Sequence, residues 1–312
     1  MGKFAAFRED VYPRSLLTTF PAASTFTIES AQALAWAAQV AYETADEPKL
    51  DRILTGWGWQ RDATLGGDVS KALPFTLASG FAAHVGRTMV VAFAGTEPDS
   101  ATQWLENFSA LPVDGMHKGF KAGIDAVWKK KRLPDLIDAA AEIYFCGHSL
   151  GGALAVAAAR RLCSEMPNAA VKIHGVYTMG MPRVGTEPFA RAYNGTPLAP
   201  QSSLGQQTFR LVHGEDIVPH LPPTVFPFGY RHVGRALACP QGGNFSAGSL
   251  GPVAIEGASG EGALNFSNTV VPERTAPPFP ADDPIVVKLA AALPAIIRGH
   301  LMDRYLRALG AM

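Results

Sequence analysis

One stretch organises the chain: Ile143-Tyr144-Phe145-Cys146-Gly147-His148-Ser149-Leu150-Gly151-Gly152. It holds a short apolar run, a serine between glycines, and the start of an alanine-rich segment that continues to Leu162. This pattern predicts a buried strand, a sharp turn and a helix that packs closely on a sheet. Gly147 and Gly151 lack the β-carbons that would collide at such a turn. The turn would therefore hold the Ser149 hydroxyl above the end of the sheet.

Ser149 in this position is a candidate nucleophile. The helix that begins beside it directs backbone N–H groups without intrahelical acceptors toward the hydroxyl. The Leu150 amide is placed to hold the negative oxygen of a tetrahedral intermediate. The pentapeptide alone is a weak signal, because glycine and serine are common residues. The apolar run before it and the small-residue helix after it make the prediction much stronger.

Length, composition and charge favour a single α/β domain over residues 1–312. With 47% hydrophobic residues, the chain can bury a large core without disulfides or metal. The 27 Lys and Arg residues balance 27 Asp and Glu residues, so no net field favours nucleic acid or an anionic membrane surface. The three cysteines are odd in number and have no metal-binding spacing. We expect free thiols and no structural metal.

The N-terminal sequence gives no targeting signal. Residues 1–30 contain no apolar run of signal-peptide length, and no run of 18 apolar residues occurs in the chain. The expectation is a chain without a Sec-type signal or a transmembrane segment. A leader that had been removed would leave the same appearance, so a cytoplasmic location and export both stay open.

Other segments show clear periodicity or clear breaks in it. Residues 1–27 predict an irregular arm on the body of the domain, and Glu29–Tyr42 predicts a helix. Residues 238–283 are rich in glycine and proline and predict a long, loop-rich excursion. Two C-terminal helices are expected at Ile285–Ile297 and Leu301–Leu309. Apolar or alternating runs predict strands at residues 76–83, 88–94, 171–179 and 208–213.

Residues 97–113 predict one further helix with a single apolar face. That face is formed by Trp104, Leu105, Phe108 and Leu111. From periodicity alone it is more typical of a surface helix packed on its own sheet than of a lid that covers Ser149.

A nucleophilic serine needs a general base, and the base needs a carboxylate that fixes its tautomer. Asp216 follows a strand-like run, whereas the neighbouring Glu215 should point the opposite way. Three histidines come after this acid. His220 is too close to it in sequence, but His232, in a strand-like run, and His300, after a helix break, are equal candidates for the base.

Five ordered blocks between Ala31 and Leu309 resemble the class 3, fungal-type lipase family of α/β-hydrolases. The blocks are Val90–Thr96 with Trp104, His117–Phe120, Gly147–Gly152, Gly180–Gly185 and Asp216–Pro223. The resemblance implies a mostly parallel central sheet of the α/β-hydrolase type, flanked by helices, with a lid helix.

The resemblance also implies roles for single residues. It assigns Ser149 as nucleophile, Asp216 as acid and His300 as base, and it makes His232 a structural histidine. It implies that the oxyanion-hole amides belong to Thr96 and Leu150, and that the lid and substrate-binding residues are Trp104, Leu105, Phe108 and Leu111. The chain departs from the family pattern at Ala94, where many members carry arginine. It also lacks the cysteines that form the disulfides of secreted members, and its excursion at 238–283 is longer than expected.

The implied activity is cofactor-free hydrolysis of carboxylic esters through an acyl-enzyme. The expected substrate is an acylglycerol met at a lipid–water interface, and no nucleic acid partner is expected. A lidless esterase for short-chain or feruloyl-type esters, or an acyltransferase, would use the same three residues. A silent lipid-binding module would need one of the three to be missing, and all are present.

Overall fold

The computed structural model of the chain describes residues 6–21, 25–68, 77–95, 112–130, 133–199, 202–214, 216–225, 229–240, 242–254, 280–282, 284, 288 and 298–312. Its α-helices are α1 (Ile28–Val40), α2 (Glu47–Gly56), α3 (Lys118–Lys130), α4 (Leu133–Ala139), α5 (Leu150–Glu165), α6 (Pro167–Ala170), α7 (Glu187–Asn194) and α8 (Met302–Ala308). The first seven strands are β1 (Gln60–Asp68), β2 (Leu77–Val85), β3 (Thr88–Phe93), β4 (Pro112–Val113), β5 (Met116–His117), β6 (Glu142–His148) and β7 (Ile173–Met179). The others are β8 (Gly185–Thr186), β9 (Pro197–Ala199), β10 (Ser202–Ser203), β11 (Thr208–His213), β12 (Tyr230–Arg231), β13 (Arg235–Cys239) and β14 (Leu250–Val253).

Eight of these strands form one central sheet, in the order β1-β2-β3-β6-β7-β11-β13-β14. Strands β3, β6, β7, β11 and β13 pair in parallel, whereas β1, β2 and β14 pair antiparallel at the two sides. The mostly parallel sheet predicted from the sequence is confirmed. A small second sheet, in the order β12-β8-β5-β4, and the β9–β10 ribbon lie outside it.

Both faces of the sheet are buried at its centre, which explains why β3 and β6 are continuously buried rather than alternating. On one face, Val90 joins a core cluster that includes residues of α1 and α8. On the other face, Val91 and Phe93 join a second cluster with residues of α3 and α5. The sheet therefore lies between two layers of helices, and its carboxyl-terminal edge is where the loops after each strand meet.

Several predicted elements appear close to their expected bounds. The helix expected at Glu29–Tyr42 is α1 followed by a 3-10 turn at Ala41–Glu43, and the Thr27 side chain accepts a hydrogen bond of 3.1 Å from the Ser30 amide at its start. The strands expected at 76–83 and 88–94 are β2 and β3, which form a hairpin in which Val85 pairs with Thr88 around Gly86. The last predicted helix is α8, whereas the helix expected at 285–297 lies mostly outside the described residues.

The predicted N-terminal arm packs on the body of the domain. Phe7 and Tyr12 are buried, and the ring of Phe7 meets Trp36 of α1 edge-on at 6.4 Å between centroids. The indole N–H groups of Trp57 and Trp59 donate to backbone carbonyls of the arm at 2.8 Å and 3.0 Å. Aromatic packing and these two hydrogen bonds hold the arm in place.

The segment predicted as a loop-rich excursion at 238–283 is regular in part. Leu250–Val253 forms β14, which extends the central sheet by pairing antiparallel with β13. This strand is short and only partly buried, so it has no strong apolar signal. Residues 255–279 lie outside the described part of the chain.

Candidate active site

Ser149 stands alone between the end of β6 and the start of α5. Its backbone has a φ of 58° and a ψ of −129°, a conformation that costs a non-glycine residue free energy. A buried serine is held in this conformation only if its surroundings determine it fully. Its amide donates to the carbonyl of Met179 on β7 at 2.9 Å, which ties the turn to the neighbouring strand.

The two glycines beside Ser149 allow backbone segments to touch. A Cβ on Gly147 would lie 2.2 Å from backbone atoms of Gly151, and a Cβ on Gly151 would lie 2.2 Å from the carbonyl oxygen of Phe93. The close approach predicted for both positions is confirmed. Helix α5 can therefore begin directly over the ends of β3 and β6, with Leu150 as its first residue.

Asp216 lies in the turn after β11 and is fully buried. The amide of Val218 donates to Oδ1 at 2.9 Å, and the hydroxyl of Tyr305 donates to Oδ2 at 2.5 Å. The His300 Nδ1 lies 3.0 Å from Oδ1 and 2.8 Å from Oδ2. The carboxylate therefore has hydrogen-bond donors around both oxygens.

His300 reaches this carboxylate from the loop before α8. Its ring also contacts Gly180, where a Cβ would lie 2.9 Å from the His300 Nδ1 and 2.8 Å from Asp216 Oδ2. Met179, whose carbonyl accepts from the Ser149 amide, ends β7, and Gly180 follows it, so this end of β7 and the next residue lie close to all three candidate residues. The structure thus brings Ser149, Asp216 and His300 to one edge of the sheet.

His232, the rival candidate for the base, lies elsewhere. It is buried, and its Nε2 lies 2.6 Å from the carbonyl oxygen of Pro219. Burial, followed by the nearby Arg210 and Arg183, lowers the pKa of His232 well below its ordinary value. The backbone carbonyl of His220 accepts a hydrogen bond from Arg183. The alternative acid Glu215 lies outside the described residues.

Of the other residues expected in the site, the structure describes one and leaves the rest outside its described residues. Leu150 is placed as expected, at the first position of α5, where backbone N–H groups have no intrahelical acceptor. Thr96 lies outside the described residues, and so do the predicted lid residues Trp104, Leu105, Phe108 and Leu111.

Three further side chains lie at the site and were not found from the sequence: Tyr305, His148 and Tyr42. Tyr305 holds Asp216, as described above. His148, the residue before the nucleophile, has its Nε2 2.7 Å from the His300 carbonyl oxygen and its Nδ1 2.8 Å from the hydroxyl of Tyr42. The only sequence signal for Tyr305 was an aromatic residue four positions after the predicted helix start at Leu301, and His148 was visible only as part of the serine motif.

The described residues contain no group of three or more His, Cys, Asp or Glu side chains that could hold a metal ion. Cys146, Cys163 and Cys239 are buried free thiols, as predicted. Burial raises the pKa of Cys163 to about 11, so this thiol stays protonated near neutral pH.

The mostly parallel central sheet, with a sharp strand-to-helix turn at Ser149, has the α/β-hydrolase fold. A family model described as class 3 lipase matches residues 90–226. Over these residues the chain is similar to the class 3 lipase family.

Relatives and solved structures agree with this assignment. A lipase of Caenorhabditis elegans is 35% identical over 153 residues, which are 46% of this chain and 40% of that protein. A secreted mono- and diacylglycerol lipase of Fusarium solani is 43% identical over 90 residues, which are 28% of this chain and 21% of that protein. The structure of Rhizomucor miehei triacylglyceride lipase is similar with a TM-score of 0.54 at 22% identity, and covers 78% of this chain and 88% of that one. The chain therefore spans less than half the length of these two curated relatives.

Proposed function

We propose that this chain hydrolyses carboxylic esters, triacylglycerols foremost, through an acyl-enzyme on Ser149. The observation that carries the proposal is the hydrogen-bonded Asp216–His300 pair at the sheet edge where Ser149 is held with a φ of 58°. A strained serine at a helix start, beside a histidine oriented by a buried carboxylate, is the arrangement that serine hydrolases use.

In the proposed acylation step, His300 Nε2 accepts the Ser149 hydroxyl proton while Oγ attacks the ester carbonyl carbon. Asp216 holds Nδ1–H and stabilises the imidazolium that forms. The amide of Leu150, and by family resemblance that of Thr96, donate to the oxyanion. The tetrahedral intermediate then expels the alcohol, which takes the proton from His300.

Deacylation repeats these steps with water as the nucleophile. His300 removes a proton from the water, the hydroxide attacks the acyl carbon, and the Ser149 alkoxide leaves with the proton returned by the imidazolium. The fatty acid is released and the serine is regenerated. An acyltransferase would replace the water by an alcohol, so the acceptor alone separates the two activities.

The names of the relatives support acylglycerols as the substrate class, since they include mono- and diacylglycerol and triacylglyceride lipases. A lid at 97–113 that opens at a lipid–water interface belongs to the same proposal. In the described part of the chain, no helix is both long and apolar enough to cross a bilayer.

A substrate panel tests the proposal. The chain is assayed on p-nitrophenyl esters from acetate to palmitate and on emulsified triacylglycerol, with Ser149→Ala as the matched inactive variant. The proposal expects turnover of long-chain esters and of the emulsion by the unchanged chain only. Turnover confined to acetate and feruloyl-type esters would favour the esterase, and equal turnover by Ser149→Ala would end the serine mechanism.

A further inference from the structure

His148 lies in the centre of the proposed site, although the mechanism gives it no task. Its ring packs on that of His300 with 4.6 Å between centroids and 30° between planes. It is the last residue of β6, directly before Ser149, so its backbone cannot move without moving the nucleophile. Both of its ring nitrogens are within hydrogen-bond distance of other groups, which is a constraint that simple packing would not need.

The partners of His148 determine its tautomer. The carbonyl oxygen of His300 can only accept, so the Nε2 of His148, 2.7 Å away, must carry a proton and donate it. In the neutral ring, Nδ1 is then an acceptor, and it takes the hydroxyl proton of Tyr42 at 2.8 Å. Burial, and secondly the neighbouring His300, lower the pKa of His148 well below its ordinary value, which keeps the ring neutral.

Tyr42 starts this chain of hydrogen bonds from the 3-10 turn that follows α1. A Cβ on Gly95 would lie 2.4 Å from the Tyr42 hydroxyl oxygen and 2.9 Å from the Cβ of Ser149. The Tyr42 hydroxyl and the Ser149 side chain therefore both lie close to Gly95, in the turn after β3. The hydroxyl can hold its position only because residue 95 has no side chain.

We propose that Tyr42 and His148 are positioning residues, which form a hydrogen-bond relay that fixes the backbone of His300 relative to Ser149. The relay runs from the Tyr42 hydroxyl to His148 Nδ1, and from His148 Nε2–H to the His300 carbonyl. It rests on the proposed ester hydrolysis, because it acts by placing the base of that reaction. Asp216 sets the orientation of the His300 ring, and the relay sets the position of the loop that carries it.

Kinetics of three variants test the relay. His148→Phe removes both hydrogen bonds and keeps a ring, and Tyr42→Phe removes the hydroxyl alone. His148→Gln places an amide Nε2 where the imidazole Nε2 lies, so it retains the donor to His300. For a soluble ester, kcat should fall about tenfold in His148→Phe, the size expected for a lost positioning hydrogen bond, with KM within about twofold. His148→Gln should recover most of this loss.

The matched control is Tyr144→Phe, which removes a buried hydroxyl that donates to the Pro21 carbonyl at 3.2 Å, in the same core cluster but outside the site. It should leave kcat unchanged. The relay is wrong if folded His148→Phe keeps the kcat of the unchanged chain, or if His148→Gln is as slow as His148→Phe.

A spectroscopic measurement separates the relay from the proposed function. The proton on His300 Nδ1, assigned in ¹⁵N-histidine NMR spectra by its loss in His300→Ala, should shift or broaden in Tyr42→Phe and His148→Phe and stay in place in Tyr144→Phe. An unchanged signal in both relay variants would overturn the relay whatever the chain hydrolyses. A chain that turns over no ester, yet shows the shifts, would end the proposed function and keep the relay.

Discussion

The hydroxyl of Tyr305 donates a hydrogen bond of 2.5 Å to Oδ2 of Asp216. Tyr305 lies on α8, immediately after the loop that carries His300, so one short segment provides two of the donors to this carboxylate. Burial, and secondly the charge of Asp216, raise the pKa of Tyr305 well above its ordinary value. The phenol therefore stays protonated and remains a donor throughout the working pH range.

Removing this hydroxyl should slow the reaction without unfolding the chain. Tyr305→Phe leaves Asp216 with its bonds to His300 and Val218, and we expect kcat to fall by about tenfold, as for one lost hydrogen bond to a charged group. Tyr193→Phe is the control, because it removes another buried hydroxyl, 2.8 Å from Thr208 Oγ1 and away from the site. Equal kcat values for the two variants would show that Tyr305 has no part in holding the acid.

The assignment of the base is tested by two histidine variants. His300→Ala should lower kcat by about 10³-fold or more, because the members of a triad act as a unit. His232→Ala should retain turnover and lose stability, since it removes a buried side chain that is 2.6 Å from the Pro219 carbonyl oxygen. Thermal unfolding and initial rates on a soluble ester measure both effects. Full loss of turnover in folded His232→Ala, with normal turnover in His300→Ala, would reverse the assignment.

The turn at Ser149 should tolerate no side chain at residue 151. In Gly151→Ala the new Cβ would lie 2.2 Å from the Phe93 carbonyl oxygen, a backbone atom that cannot move aside alone. We expect a destabilisation of about 1 to 3 kcal/mol and a loss of turnover, measured by urea unfolding and ester hydrolysis. Gly56→Ala is the control, because a Cβ there has its nearest contact at 3.9 Å. A stable, active Gly151→Ala variant would contradict the geometry of the turn.

The strand, turn and helix around Ser149 could be predicted because their signals are local. The apolar run of β6, the glycines at 147 and 151 and the small residues of α5 each reflect packing against nearby chain. Asp216 was found for a similar reason, since it directly follows a recognisable strand. The choice of His300 over His232 needed the family resemblance, because sequence spacing does not say which loop folds back over the sheet.

Elements without a local signal were missed. Strand β1 is rich in polar residues and glycine and forms one side of the sheet, where Gly67 allows close contact with Ala126 of α3. The hydrogen bond from Tyr42 to His148 joins residues 106 positions apart, and the one from Tyr305 to Asp216 joins residues 89 positions apart. Nothing near either tyrosine in sequence indicates its partner, because the sheet and the two helix layers create these contacts.

The proposed lid gives a prediction for residues outside the described part of the chain. The apolar face at Trp104, Leu105, Phe108 and Leu111 would be penalised in water and stabilised at a lipid surface, by roughly 25 cal/mol per Å² of buried apolar area. Trp104→Ser should therefore lower activity on emulsified triacylglycerol far more than on a soluble butyrate ester. Equal losses on both substrates would make this segment an ordinary structural helix.

A buried carboxyl next to the site should make stability depend on pH. Asp303 on α8 is fully buried, with the Nε atoms of Arg304 and Arg307 at 3.6 Å and 3.7 Å from Oδ2. Burial raises its pKa from 3.8 to about 6, against the opposing effect of the two arginines. The folded chain therefore holds this proton more tightly than the unfolded chain does.

The sign of the effect follows from this difference in proton affinity. Below about pH 4 the carboxyl is protonated in both the folded and the unfolded chain, and its contribution to stability is fully present. As the pH rises through about 6 the folded state must bury a charge, and the free energy of unfolding falls by up to about 3 kcal/mol. Asp303→Asn cannot ionise, so its free energy of unfolding should fall less between these pH values than that of the unchanged chain. Asp138→Asn, at an exposed position, is the control and should follow the unchanged chain. Parallel curves for Asp303→Asn and the unchanged chain, from urea unfolding at a series of pH values, would show that Asp303 ionises equally easily in both states.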